Sequence, residues 1–176
     1  MAVIVFMIGL LSPEIIALIG TSEYQVAVYV IPVVTLSVFY TFCYDLFASI
    51  EFYYGSTKFV MVASCIGALL NLILNAIFIP IYGFMAAAYT TLICYLILML
   101  MHYLFAMKVL KEQTITEKVY SYSQIFIFIA VASAAGLCSM LIYPYPLLRF
   151  SILGVFCAAG IIKRRSILEM IKSIRK

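Results

Sequence analysis

The chain has 176 residues, of which 67% are hydrophobic and only 10% charged, and its mean hydropathy is +1.20. A soluble domain is about 45–50% apolar and about 25% charged, and one of this size leaves roughly 30% of its unfolded surface in water. The excess apolar surface must face lipid, which excludes a soluble enzyme, a nucleic-acid module and a disordered segment. The net charge of +4 is a local effect, because six of the 11 basic residues (Lys163, Arg164, Arg165, Lys172, Arg175 and Lys176) lie beyond position 162.

A bilayer core of about 30 Å is crossed by about 20 helical residues. By that length the chain predicts an all-α integral membrane protein of about six transmembrane helices, over 1–19, 26–50, 59–79, 84–107, 122–143 and, shorter, 147–162. Turn chemistry separates them: Gly20-Thr21-Ser22, Gly55-Ser56-Thr57, Pro80-Ile81-Tyr82-Gly83 and Pro144-Tyr145-Pro146. The long unbroken apolar runs do not read as the short alternating strands of a β-barrel.

The first segment is interrupted. Met1 to Leu11 spans roughly 16 Å as a helix, about half a bilayer, before Ser12-Pro13-Glu14 breaks the run. It reads either as a tilted span or as a helix whose start is missing. The N-terminus carries no basic residue ahead of its apolar run and so lacks the basic region of a signal peptide.

The second segment carries the main polar face: Ser37, Tyr40, Thr41, Tyr44 and Asp45. At 100° per residue these five cover roughly 140° of the helix. Asp45 is expected to lie within the span, and an ionisable group there points to function. The face reads as the lining of a water-filled cavity, with hydroxyls for a sugar or pyrophosphate and with Asp45 as a proton or Na⁺ ligand. The other reading is an inter-helical hydrogen-bond network, or Asp45 snorkelling to the interface.

In the third segment Asn71 and Asn75 are four apart and share a face with Ser64, Gly67 and Ala68. Small and amide side chains on one stripe allow close helix approach and supply hydrogen bonds in lipid. Ala87, Thr90, Thr91 and Cys94 form a comparable stripe on the fourth segment. The short connection between the two makes them antiparallel neighbours, with Pro80 expected to stop the first helix and Gly83 to supply a positive φ. The Asn pair reads as packing glue, with substrate contact as the other reading.

These residues carry a resemblance. Asn71-Leu-Ile-Leu-Asn75-Ala-Ile-Phe-Ile-Pro80-Ile-Tyr82-Gly83, followed by Ala86-Ala87-Ala88-Tyr89-Thr90, resembles the N-x3-N…I-P-x-Y-G-x-x-G-A-A-x-x-T pattern of bacterial polysaccharide-export flippases. These are the O-antigen and capsule repeat-unit transporters of the multidrug/oligosaccharidyl-lipid/polysaccharide superfamily. Ser12-Pro13-Glu14-Ile15-Ile16 with Glu23-Tyr24, and Tyr53-Tyr54-Gly55-Ser56-Thr57-Lys58, look like two further stretches of the same family in the same order. Ala86 departs from the pattern by standing where the family usually has Gly.

The resemblance covers about residues 12 to 107. It implies a flippase fragment that moves polyprenyl-diphosphate-linked oligosaccharide repeat units by alternating access, in O-antigen, capsular or exopolysaccharide biosynthesis. It implies a C-terminal lobe of a two-lobe transporter, with a missing N-terminal lobe or glycan-assembly proteins as partners. A cation-coupled drug antiporter of the same superfamily and a small membrane accessory protein of glycan assembly stay open as alternatives. The organisation expected is 1–107 as lobe helices with the motif, 108–121 as a cytoplasmic loop, 122–162 as a terminal helix pair and 163–176 as a basic tail.

The candidate substrate pathway is Ser37, Tyr40, Thr41, Tyr44, Asp45, Asn71, Asn75 and Arg149, with Pro80, Tyr82 and Gly83 as structural motif. Arg149 reads as a partner for pyrophosphate or for lipid headgroups, and His102 as an interfacial histidine. The chain shows no Walker loop, HExxH, GxSxG or zinc spacing, so no enzyme activity, cofactor or metal is expected. The five cysteines lie in apolar runs without CxxC spacing and read as packing residues.

Lys58, Lys108, Lys111, Lys118 and the six basic tail residues fall on one set of alternate loops. The positive-inside rule puts that set, with both termini, in the cytoplasm, and the family resemblance implies the bacterial inner membrane as the location. Tyrosines at the predicted boundaries, among them Tyr24, Tyr53, Tyr54, Tyr82, Tyr103, Tyr122 and Tyr143, suit an aromatic belt. The tail, with Ile167, Leu168, Ile171 and Ile174 at helical spacing, is expected on anionic inner-leaflet lipid, at about 1 kcal/mol per basic residue. No nucleic-acid partner is expected.

Overall fold

The computed structural model describes residues 1–20, 22–113 and 121–162. The chain divides into two compact units, Met1–Met140 and Leu141–Lys176. Among the described residues all regular structure is helical. The helices are α1 (Ala2–Leu10), α2 (Ser12–Ile19), α3 (Val30–Tyr53), α4 (Thr57–Tyr82), α5 (Met85–Glu112), α6 (Tyr122–Cys138) and α7 (Pro146–Ile162), with 3-10 turns at Ser22–Tyr29 and Ser139–Ile142. Four stretches, Tyr24–Tyr53, Thr57–Tyr82, Met85–Glu112 and Tyr122–Ile142, are long and apolar enough to cross a membrane, and a fifth results if α1 and α2 count as one broken span. The sixth expected segment folds as α7, whose 17 residues reach about 26 Å, short of a bilayer core.

The interruption in the first segment has a local cause. Pro13 has no N–H to donate to the Gly9 carbonyl, and the Ser12 hydroxyl donates there instead, at 2.8 Å. The axis turns by 59° between α1 and α2. The stretch from Ser12 to Ile19 is the second helix of this pair. In the first turn of α3, Pro32 likewise removes a donor, and the residues before the helix wind as the 3-10 turn.

Pro80 does not stop its helix. α4 continues through it to Tyr82. A proline so near a C-terminus removes one hydrogen bond and is tolerated there. The stop is Gly83, at φ +73° and ψ −165°, a conformation open essentially to glycine alone, with its N–H donating to Ile79 O at 2.8 Å. α3 ends on a second such glycine. Gly55, at φ +68°, donates to Phe52 O and Ser56 donates to Glu51 O, the paired bonds of a Schellman cap.

Of the three long helices, α5 packs against both of the others. Asn75 meets Thr90, Asn71 meets Thr91 and Phe59 meets Phe105, so α4 and α5 are antiparallel, as the short connection predicts. Tyr44 stacks on Tyr95 and Glu51 bonds His102, so α3 and α5 run parallel. α6 returns antiparallel along α3, with Phe39 on Phe128, Tyr40 bonded to Ser133 and Phe47 on Phe126. The core of the first unit lies among these helices and α1, around Val5, Leu36, Phe39, Phe47, Met99, Ala106 and Ile129. α5 runs on to Glu112, so the first residues of the expected 108–121 loop are helical. Residues 114–120 and the tail 163–176 lie outside the described residues.

Candidate functional site

The most unusual chemistry in the first unit is a buried acid and a buried base in contact. Glu51, in the last turn of α3, and His102, on α5, are 0% and 1% exposed. His102 Nδ1 and Glu51 Oε1 share a hydrogen bond of 2.8 Å, whose donor depends on which of the two holds the proton. The second carboxylate oxygen of Glu51 has no hydrogen-bond partner among the described residues. Tyr44 stacks on the imidazole with ring centroids 5.1 Å apart, and on Tyr95 at 6.4 Å and nearly coplanar.

The parallel arrangement of α3 and α5 explains the cluster. Tyr44 and Glu51 are seven apart on α3, and Tyr95 and His102 are seven apart on α5. Two turns separate each pair, so each pair lies on one helix face. An ionised group taken from water into such surroundings is stable only when paired and hydrogen-bonded.

Sequence reasoning missed this site. The second span was expected to close at position 50, which left Glu51 in a loop, and His102 was expected at an interface. The helix instead runs to Tyr53 and His102 is enclosed. The matched seven-residue spacings were the available signal.

The polar face expected on α3 is divided in the fold. Ser37 is buried and donates to Val33 O, and Thr41 donates to Ser37 O. Tyr40 is buried with its hydroxyl 2.9 Å from Ser133 Oγ on α6. Tyr44 belongs to the Glu51–His102 cluster. Asp45 is exposed on the outside of the helix.

The Asn pair forms a second polar cluster on the α4–α5 hairpin. Asn75 Nδ2 donates to Asn71 Oδ1 at 3.0 Å, Thr90 donates to Asn75 Oδ1, and Asn71 Nδ2 makes a long contact of 3.5 Å to Thr91. Thr90 has one proton and several acceptors, since Ala86 O and Ala87 O lie within 3.0 Å of the same hydroxyl. The hairpin also carries an apolar groove of about 380 Å³ lined by residues such as Leu74, Phe78, Tyr82 and Tyr89. Pro80 and Tyr82 are exposed. In the second unit Arg149 is buried on α7, and its guanidinium lies over the Phe150 ring at 5.7 Å.

The sequence candidates therefore fall into separate places, with Asn71 and Asn75 together, Tyr44 beside a pair that sequence reasoning missed, and Arg149 in the other unit. The chain matches no protein-family model, no curated protein and no solved structure.

Proposed function

We propose that the chain belongs to the helical core of a multi-pass transporter of the polysaccharide-export flippase type. Its substrate class is a polyprenyl-diphosphate-linked oligosaccharide. The observation that carries the reading is the ordered block from Asn71 to Thr90. Its defining residues are those that meet on the α4–α5 hairpin: the two asparagines, the threonine that bonds them and the glycine that makes the turn.

In this reading the chain crosses the bacterial inner membrane six times, α1 and α2 forming one broken span and α7 a short one. The Lys58 and Lys108 ends of the helices and both termini face the cytoplasm, as the positive-inside rule requires. The first unit supplies one of two bodies that rock against each other in alternating access. A second body, from the rest of a longer protein or from a partner in glycan assembly, completes the pathway.

The test is genetic. Deleting the coding segment from its host is expected to abolish surface glycan and to leave lipid-linked repeat units accumulating in the inner leaflet. Unchanged surface glycan contradicts the proposal. Unchanged glycan with increased sensitivity to cationic drugs assigns the protein to antiport instead.

A further inference from the structure

We infer that Glu51 and His102 form a proton-operated clasp that fastens α3 to α5, a binding site for a single proton whatever the protein carries. The two helices run parallel, and this contact joins them near the end of α3. Both side chains are enclosed, at 2% exposure or less. Glu51 lies two residues from the end of α3, where the helix dipole disfavours negative charge. Its Oε2 is buried without a partner among the described residues.

The proton count decides the state of the clasp. With one proton shared, as carboxylate and imidazolium or as acid and imidazole, the pair is net neutral and closed. When that proton leaves to water, a carboxylate remains beside a neutral imidazole with one full negative charge. His102 is the one ion-pair partner of Glu51 among the described residues.

Among the described residues, the elements packed around the pair offer no replacement cation in contact. α3 and its exit turn contribute Tyr44, Asp45 and Tyr54, and Asp45 is exposed. α5 contributes Tyr95, Tyr103 and Lys108, with Lys108 over the Phe59 ring. α4 contributes Lys58, α6 contributes Tyr122, and α1, with no ionisable side chain from Ala2 to Leu10, brings the Met1 amino group, whose charge acts on Cys43. The remaining way to stabilise the charge is to admit water, which parts the end of α3 from α5. The closed state holds one proton more than the open state, so closure weakens as pH rises.

Two measurements on the full chain in lipid nanodiscs test the clasp. His102 is the only histidine in the sequence, so ¹⁵N-histidine labelling reports it without ambiguity. On going from acid to alkaline buffer its ring N–H should pass from a signal protected from solvent exchange to one lost to exchange, because the closed state holds the extra proton. A signal that stays protected throughout overturns the inference.

The second measurement places a thiol beside the pair as Ala48→Cys, at a position 4% exposed, with the native cysteines replaced by alanine. Its maleimide reaction rate is divided by the rate in the same chain carrying Glu51→Gln, which cancels the ionisation of the thiol. The ratio should climb with pH by up to about tenfold per unit, the response to one released proton. Asp45→Asn should leave that climb in place. A flat ratio shows a static pair and overturns the clasp. Should Glu51→Gln fail to fold, the histidine signal of the unaltered chain still decides.

Discussion

Replacing His102 by alanine is expected to destabilise the fold by about 3–5 kcal/mol, the usual penalty for removing one member of a buried ion pair. The cause is what remains. Glu51 would keep its place in the last turn of α3 with neither carboxylate oxygen bonded, and Tyr44 would lose the ring it stacks on. The unfolding midpoint of the purified chain in micelles measures this. The double variant Glu51→Leu with His102→Leu provides the contrast, because well-packed apolar replacements of a buried pair are often neutral. It should recover most of the loss. A double variant as unstable as His102→Ala would show that shape at this point matters more than charge.

Gly83→Val is expected to be the next most damaging change. At φ +73° and ψ −165° glycine is under no strain, whereas a residue with a side chain is disfavoured by about 1–3 kcal/mol and a β-branched one lies at the upper end. A Cβ at this position would meet nothing within 4 Å, so the effect comes from the backbone. The chain can relieve it only by re-forming the turn, which shifts α5 along α4 and pulls Thr90 from Asn75. Cysteines replacing Phe59 and Phe105, whose rings are 4.9 Å apart, report the register through a short cross-linker. Cross-linking should fall sharply in Gly83→Val. Equal cross-linking in Gly83→Val and the parent would contradict the role given to this turn.

These two sites mark what the sequence could and could not disclose. The α4–α5 hairpin was legible because Asn71, Asn75 and Thr90 lie close along the chain and glycine has few uses other than a positive φ. The position of Pro80 was misleading, since its effect on a helix depends on how near the end it sits. Apolar runs gave every long helix but clipped the ends of α3 and α5, because polar residues at a helix end look the same whether protein or water surrounds them. Glu51 was lost for that reason. Its pairing with His102 spans 51 positions and follows from the parallel packing of two helices, which a pattern within one segment cannot reveal. Asp45 was the converse case: a fraction of a turn separates a lining position from an exposed one, and hydropathy does not fix that rotation.

The account rests on these helices crossing a membrane with the lysine-bearing ends of α4 and α5 inside, and cysteine labelling in intact cells tests this directly. In a chain with its native cysteines replaced, single cysteines are placed at Ser22 and Phe84 on one expected side and at Ser56 and Gln113 on the other. An impermeant maleimide should label positions 22 and 84 in intact cells, and should reach 56 and 113 only after permeabilisation. Labelling of 56 and 113 with protection of 22 and 84, or equal labelling of all four before permeabilisation, would contradict the account.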